Sequence, residues 1–214
     1  FVDHQATGGG GGPFENKHFD INSKGELVVL AEYVDPVDPN TNMRSYAVLR
    51  YSANLGGGKI LGFNSPTTIA DATVTLPNQV DEGLVAGFTF DAISGVAINE
   101  AGNIAFYGNY DTGIPDPNNP LVTIKNSAVY FYEKSSGTIH RVISEGATVG
   151  STPSVTIEGF FPSTGSDSFF AGSLADEDDV LVASYRDDGN VATLDTRGVL
   201  VLDLRKAGCE WDLN

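Results

Sequence analysis

The chain has 214 residues, of which 41% are hydrophobic, and it carries a formal net charge of −16. We treat residues 1–214 as a single domain with a hydrophobic core. The charge argues against nucleic acid and anionic membranes as partners, because both attract clustered Lys and Arg. The single cysteine, Cys209, excludes an intrachain disulfide, and no apolar run has the length for membrane insertion.

The first predicted element is a short strand on a glycine-rich tether, within residues 1–12. Five consecutive glycines, Gly8 to Gly12, behave as a flexible connector rather than as part of a strand. The start at Phe1 and the lack of a signal peptide lead us to expect a processed piece of a longer product. The candidate assembly strand before the glycines consists of Val2, Asp3, His4, Gln5, Ala6 and Thr7.

A first unit is predicted over about residues 19–87. Residues 27–34 are apolar and rich in β-branched side chains, which predicts a buried strand. Residues 35–42 are rich in Asp, Pro and Asn and are predicted to form a loop. Further strands of this unit are predicted at 46–51, 59–63 and 72–76.

A second unit is predicted over about residues 88–170, and a third over 171–214. Residues 111–120 and 187–190 are predicted to be loops by composition. The third unit has no counterpart of the strand predicted at 138–143. The N-terminal strand is therefore a candidate to complete the third unit, either of its own chain or of a neighbouring molecule. Strands are predicted at 103–110, 127–133, 138–143, 180–186 and 198–204.

The spacing of one turn pattern predicts the fold class. Gly102 lies 77 residues after Gly25, and Asp178, in a more degenerate copy, lies 76 residues after Gly102. Apolar residues at helical spacing do not extend beyond two turns. We therefore predict an all-β fold of three tandem antiparallel β-meander repeats of about 77 residues, in a propeller-like or related architecture.

The turn pattern itself has a structural explanation. An asparagine before a strand bonds its own backbone in an Asx-turn, and glycine supplies the positive φ that such a turn needs. In the strand that follows, adjacent residues point to opposite faces, so an alanine allows close approach while a phenylalanine fills the core. The residues with these roles are Asn22, Gly25, Asn99, Gly102, Ala105 and Phe106.

The motif Asn99-x-x-Gly102-x-x-Ala105-Phe106 resembles the signature of the bacterial tandem-repeat NxxGxxAF family. The segment 144–150 is similar to the acidic element that follows the last strand of a repeat in that family. The resemblance covers about residues 84–150 well and the other two units loosely. It implies a secreted or surface-attached bacterial protein with a propeller-like stack of antiparallel sheets, and it implies no particular activity.

Acidic residues recur in the loop between the first two strands of each unit. Carboxylates in turns suit calcium, a hard cation with oxygen ligands, so Ca²⁺ is the candidate cofactor. The alternative is that Asp, Asn, Pro and Gly are simply the residues that turns require. The candidate metal ligands are Asp35, Asp38, Asp111, Asp116, Asp187 and Asp188.

No catalytic motif stands out, and we assign no catalytic residue. The leading hypothesis is a non-enzymatic, secreted or cell-surface structural protein that forms fibres by β-strand donation from its N-terminus. Its expected partners are further copies of itself, other surface proteins or polysaccharide. The alternative is a calcium-dependent carbohydrate- or surface-binding module. A glycan-active hydrolase, with two carboxylates in a cleft, is the third hypothesis.

Overall fold

A computed structural model describes residues 19–34, 44–72, 90–150, 155–158, 173–175, 180–187 and 196–203. These residues form fourteen β-strands, and every pair of neighbouring strands is antiparallel. The described residues contain no helix, so the predicted all-β, antiparallel class is confirmed. Correspondingly, this part of the chain has no helical segment with the length and hydrophobicity to cross a bilayer.

The first sheet has five strands. β1 to β4 pair in sequence order, and β5 pairs with β3. A strand was expected at 72–76, but the β-branched run at 67–69 pairs with β3 instead, and Ala72 lies in a bend after it. Residues 73–76 are outside the described residues. The strands are β1 (Phe19–Ile21), β2 (Glu26–Val34), β3 (Arg44–Gly56), β4 (Lys59–Phe63) and β5 (Thr67–Asp71).

The second sheet has four strands that pair in sequence order: β6 (Phe90–Ile98), β7 (Ile104–Asp116), β8 (Asn119–Glu133) and β9 (Thr138–Ser144). The loop predicted at 111–120 is wrong. β7 and β8 continue past the sheet as a two-stranded ribbon, in which Asp111 faces Lys125 and Asp116 faces Asn119. Shifts of register on both sides of Pro115 accommodate this proline, which cannot donate to the ladder.

The third sheet has three described strands, in the order β12-β13-β14, after a small sheet of β10 and β11. In the described part of the chain β14 pairs with β13 alone, whereas the corresponding β8 pairs with both β7 and β9. These strands are β10 (Thr148–Val149), β11 (Val155–Thr156), β12 (Ser173–Leu174), β13 (Val180–Asp187) and β14 (Thr196–Asp203).

The strand pairing corrects the predicted alignment of the third unit. In the first two sheets, five residues separate the last paired positions, Ile21 with Leu27 and Ile98 with Ile104. In the third sheet Leu174 pairs with Leu181, so six residues separate them. The 76-residue step therefore holds before the turn, and a 77-residue step holds after it. The extra residue lies within 175–180.

The second sheet is covered on both faces by apolar cores. The first core lies between the first and second sheets and includes Val28, Leu30, Val48, Phe106 and Tyr130. The second core lies on the opposite face and includes Ala105, Tyr107, Val129, Leu200 and Leu202. The three sheets thus stack as layers with the second sheet in the middle. The described strands close neither into a barrel nor into a propeller ring.

Candidate functional site

Two turns with the same geometry lie side by side where the first and second sheets meet. In both, the asparagine Oδ1 accepts a hydrogen bond at 2.9 Å from the backbone N–H four residues later; the asparagines are Asn22 and Asn99. The turn glycines, Gly25 and Gly102, have φ angles of +76° and +84°. These left-handed angles favour glycine, in agreement with the turn role inferred from the sequence.

The Asn22 side chain joins the first turn to the second. Its Nδ2 donates a hydrogen bond to the backbone oxygen of Asn99 at 2.9 Å. Both asparagines are buried. Burial gives such bonds weight, because a buried polar group left without a partner costs about 1–3 kcal/mol.

Polar contacts continue along the surface beside this pair. Ser23 donates its backbone N–H and its hydroxyl to the two carboxylate oxygens of Glu100, and Lys24 Nζ donates to the Glu100 backbone oxygen at 2.6 Å. On the strand before the turn, Asp20 Oδ2 accepts a hydrogen bond from the backbone N–H of Ile98 at 3.0 Å. The first turn and its preceding strand are therefore bonded to the equivalent parts of the second sheet.

The carboxylate of Glu26 crosses from the first sheet to the second. Its Oε1 accepts a hydrogen bond from Lys134 Nζ at 2.8 Å, and its Oε2 accepts one from Asn22 Nδ2 at 3.1 Å. Glycine is required beneath it, since a Cβ on Gly102 would lie 2.7 Å from Glu26 Oε2 and 2.6 Å from Lys134 Cδ. We call Asn22, Glu26, Asn99, Gly102 and Lys134 the turn junction.

The charges of the turn junction offset each other. Burial raises the pKa of the Glu26 carboxyl, but hydrogen bonds from Lys134 and Asn22 and the positive charges of Lys134 and Arg50 lower it more strongly. The net pKa is therefore below its ordinary value of 4.5. An ionised carboxylate in this position stabilises the junction and is poorly suited to donate a proton at neutral pH.

We expect Glu26→Gln to weaken the fold by about 1–2 kcal/mol at pH 7, because the charged hydrogen bonds from Lys134 and Asn22 are lost. With a folded-state pKa below the unfolded value of 4.5, the ionic stabilisation is complete above that value and disappears as the pH falls through it. The difference in unfolding free energy between wild type and Glu26→Gln should therefore shrink between pH 7 and about pH 3.

Urea denaturation followed by circular dichroism measures this difference at each pH. Lys134→Met serves as the matched variant, since it removes the partner of the same ion pair and should also bring the protein closer to wild type in acid. A Glu26→Gln deficit of equal size at both pH values would show that Glu26 does not bind Lys134 as a carboxylate.

Ala105 and Phe106 are adjacent in β7 and enter different cores. Ala105 lies in the core shared with the third sheet, and Phe106 lies in the core shared with the first sheet. The Phe106 ring meets Phe90 edge to face, with centroids 5.5 Å apart, and stacks with Tyr130 at 5.6 Å. The motif thus places one side chain in each core on either side of β7.

The candidate metal ligands are only partly covered by the described residues. Asp111 accepts hydrogen bonds from Thr123 Oγ1 and the Gly113 N–H, and Asp116 accepts one from the Asn118 N–H at 2.7 Å. These are bonds that turns and ribbon strands use. Within the described ranges, no group of three His, Cys, Asp or Glu side chains is placed to hold a metal ion.

The other sequence-predicted site residues lie largely outside the described ranges. The candidate assembly strand, Val2 to Thr7, is outside them, and so are Asp35, Asp38 and Asp188. Asp187 is the last residue of β13, and its backbone alone is described. The calcium hypothesis and the strand-donation hypothesis therefore stay predictions.

Sequence reasoning missed Glu26 and Lys134. Glu26 resembles a solvent-facing charge at the start of a strand, and Lys134 resembles an ordinary hairpin residue. Their meeting depends on two turns separated by 77 residues coming into register. One signal was available: position 103, which follows Gly102 as Glu26 follows Gly25, holds an asparagine that is also buried.

No protein-family model, no curated protein sequence and no solved structure matches this chain.

Proposed function

We propose that this is a non-enzymatic structural or assembly protein of the secreted or cell-surface class. In this proposal, consecutive units stack in a propeller-like or related β-repeat architecture, as the resemblance to the NxxGxxAF family implies. The observation that carries the proposal is the second sheet, which is covered on both faces by its neighbours. A layer used in this way serves as a building element rather than as the floor of an open cleft.

The buried polar groups support the same proposal. The buried asparagines 22 and 99 bond the turns, and the buried carboxylate of Glu26 pairs with Lys134. Each carboxyl with a shifted pKa has that pKa lowered, whereas a glycoside hydrolase needs one carboxyl with a raised pKa as its general acid. The lowered carboxyls are Glu26, Glu100, Asp111 and Glu133.

The third sheet suggests how copies assemble. Among the described strands, β14 has a partner on one side, while its counterpart β8 has partners on both. A strand edge with unpaired N–H and C=O groups is a template for an added strand. We infer that residues Val2 to Thr7 of one copy add to this edge in a neighbouring copy, giving a head-to-tail fibre.

Deletion of residues 1–12 tests the assembly mechanism. We expect the full-length protein to increase in mass with concentration in sedimentation equilibrium, and the truncated protein to associate at least about tenfold more weakly. Gln5→Pro is a second variant that retains chain length, since proline removes a ladder donor from the added strand. Repeating the runs with a calcium chelator tests the calcium-dependent alternative.

The outcomes separate the hypotheses. If the truncated protein keeps both its assembly state and its stability, strand donation is wrong. If the full-length protein is a monomer at every concentration but loses stability on truncation, the strand closes its own third sheet. If the chelator alone abolishes association, the calcium-dependent binding module becomes the better account.

A further inference from the structure

The outer face of the first sheet, the face turned away from the second sheet, is apolar. Phe19 and Ile21 of β1 are 63% and 47% exposed, and Phe63 of β4 is 41% exposed. The strand pairing places Val29 opposite Phe19 and Leu27 opposite Ile21, on the same face. We call these five residues the outer face.

The next positions across the sheet continue this apolar surface. Leu49 pairs with Val29 and Tyr51 with Leu27, and the Tyr51 ring meets Phe63 edge to face at 6.2 Å. Leu55 and Ile60, which pair with each other, are 59% and 48% exposed. A connected apolar surface of this kind on a soluble chain marks a surface that another element covers.

The second sheet shows what covers the equivalent positions. Its β6–β7 pairing matches the β1–β2 pairing, so Ile98 corresponds to Ile21, and Ile104 to Leu27. In the same register Phe106 corresponds to Val29. In the second sheet these residues are buried against the first sheet. The outer face is therefore the first sheet's copy of a surface that elsewhere in this molecule receives a neighbouring sheet.

The stack has a direction. Each sheet turns the face of the Phe106 type towards the sheet before it and the face of the Ala105 type towards the sheet after it. The third sheet follows the rule, because Leu200 and Leu202 face the second sheet. Val201, between them, points away from it and is 70% exposed. The two ends of the stack thus carry complementary kinds of surface.

We propose that the outer face of one copy binds the Val201 side of the third sheet of a second copy. This inference rests on the proposed assembly function and names the surfaces that it uses. The contact is heterologous, so each copy keeps one unoccupied end and the assembly grows as a filament. The candidate assembly strand directly precedes β1 in sequence, so the same contact brings it towards the third sheet of the neighbour.

Charge sets the conditions for the contact. Each copy carries a net charge of −16, and like charges repel during association. Salt screens this repulsion over about 8–10 Å at physiological ionic strength, while it leaves apolar burial intact. Association through the outer face should therefore strengthen as salt concentration rises. A contact made chiefly by ion pairs would weaken instead.

Site-directed variants and sedimentation equilibrium test the proposal. We expect the double variant Ile21→Thr/Phe63→Gln to associate at least about tenfold more weakly than wild type at moderate and high salt. Val201→Thr, at the opposite end of the stack, should weaken association in the same direction. Leu121→Gln is the matched control, because Leu121 is 95% exposed on the β7–β8 ribbon and should leave association unchanged.

Cross-linking tests the pairing of the two ends directly. In a Cys209→Ser background, Ile21→Cys protein mixed with Val201→Cys protein should form disulfide-linked pairs under mild oxidation. Each variant alone should form few. Linkage within the Ile21→Cys sample at the level of the mixture would indicate a face-to-face dimer and overturn the head-to-tail contact.

The failure of this inference differs from the failure of the proposed function. If wild type associates but the double variant and Val201→Thr associate equally well, the outer face is not the contact and assembly by another route stands. If wild type stays a monomer at all concentrations and salt levels, the assembly function fails and this contact fails with it. Circular dichroism of each variant confirms that a loss of association does not come from unfolding.

Discussion

Replacement of Phe106 by alanine is expected to lower the free energy of unfolding by about 3–5 kcal/mol. Phe106 is 1% exposed and lies in the core between the first and second sheets. Its ring contacts Phe90 edge to face and stacks with Tyr130. Alanine removes these contacts and leaves a cavity that strands on both sides cannot easily fill.

Urea denaturation measures the loss, and Leu121→Ala is the control. Leu121 is almost fully exposed, so its truncation should change the unfolding free energy by less than about 0.5 kcal/mol. A Phe106→Ala variant as stable as Leu121→Ala would mean that the first and second sheets do not pack through this ring.

Gly102→Ala is expected to lower the unfolding free energy by about 2–4 kcal/mol. The φ of +84° contributes about 1–2 kcal/mol of this, because an L side chain is strained in the left-handed region. The rest comes from displacing the Glu26–Lys134 pair, whose atoms would lie 2.6 to 2.9 Å from the new Cβ.

Gly58→Ala separates the two contributions. Gly58 has a φ of +75°, and a Cβ there would meet no atom within 4 Å. It should therefore show the backbone strain alone, about 1–2 kcal/mol. Equal losses for the two variants in urea denaturation would contradict the close approach of Glu26 to Gly102. Restoring part of the loss by adding Glu26→Ala to Gly102→Ala would support it.

The two turns could be predicted from the sequence because their geometry is local. An asparagine followed three residues later by glycine specifies an Asx-turn with a left-handed position, whatever surrounds it. The faces of the following strand were also predictable, since adjacent residues in a strand alternate. Ala105 and Phe106 accordingly lie in different cores.

The third unit shows where such reasoning stops. Residues 180–183 are Val-Leu-Val-Ala, which has no polar alternation to show which residue faces which core. A one-residue shift along this run therefore leaves the sequence pattern almost unchanged. The pairing of Leu174 with Leu181 resolves the shift by placing six residues in the turn.

Non-local geometry accounts for the other differences. Residues 111–120 contain turn-forming residues throughout, yet pairing between β7 and β8 extends the ladder to Asp116 and Asn119. The contact of Glu26 with Lys134 joins residues 108 positions apart. Neither the ribbon nor the ion pair has a local sequence signal, because both depend on how distant segments meet.

The turn junction also determines how unfolding spreads along the chain. In a linear stack, total stability is the sum of what each unit holds alone and what each pair of neighbours adds. Asn22 and Glu26 belong to one unit by sequence but bond to the next, so they contribute to the neighbour term. A strong neighbour term makes adjacent layers melt together. The junction thus makes the first two layers one cooperative unit, in which damage to either one is shared by both.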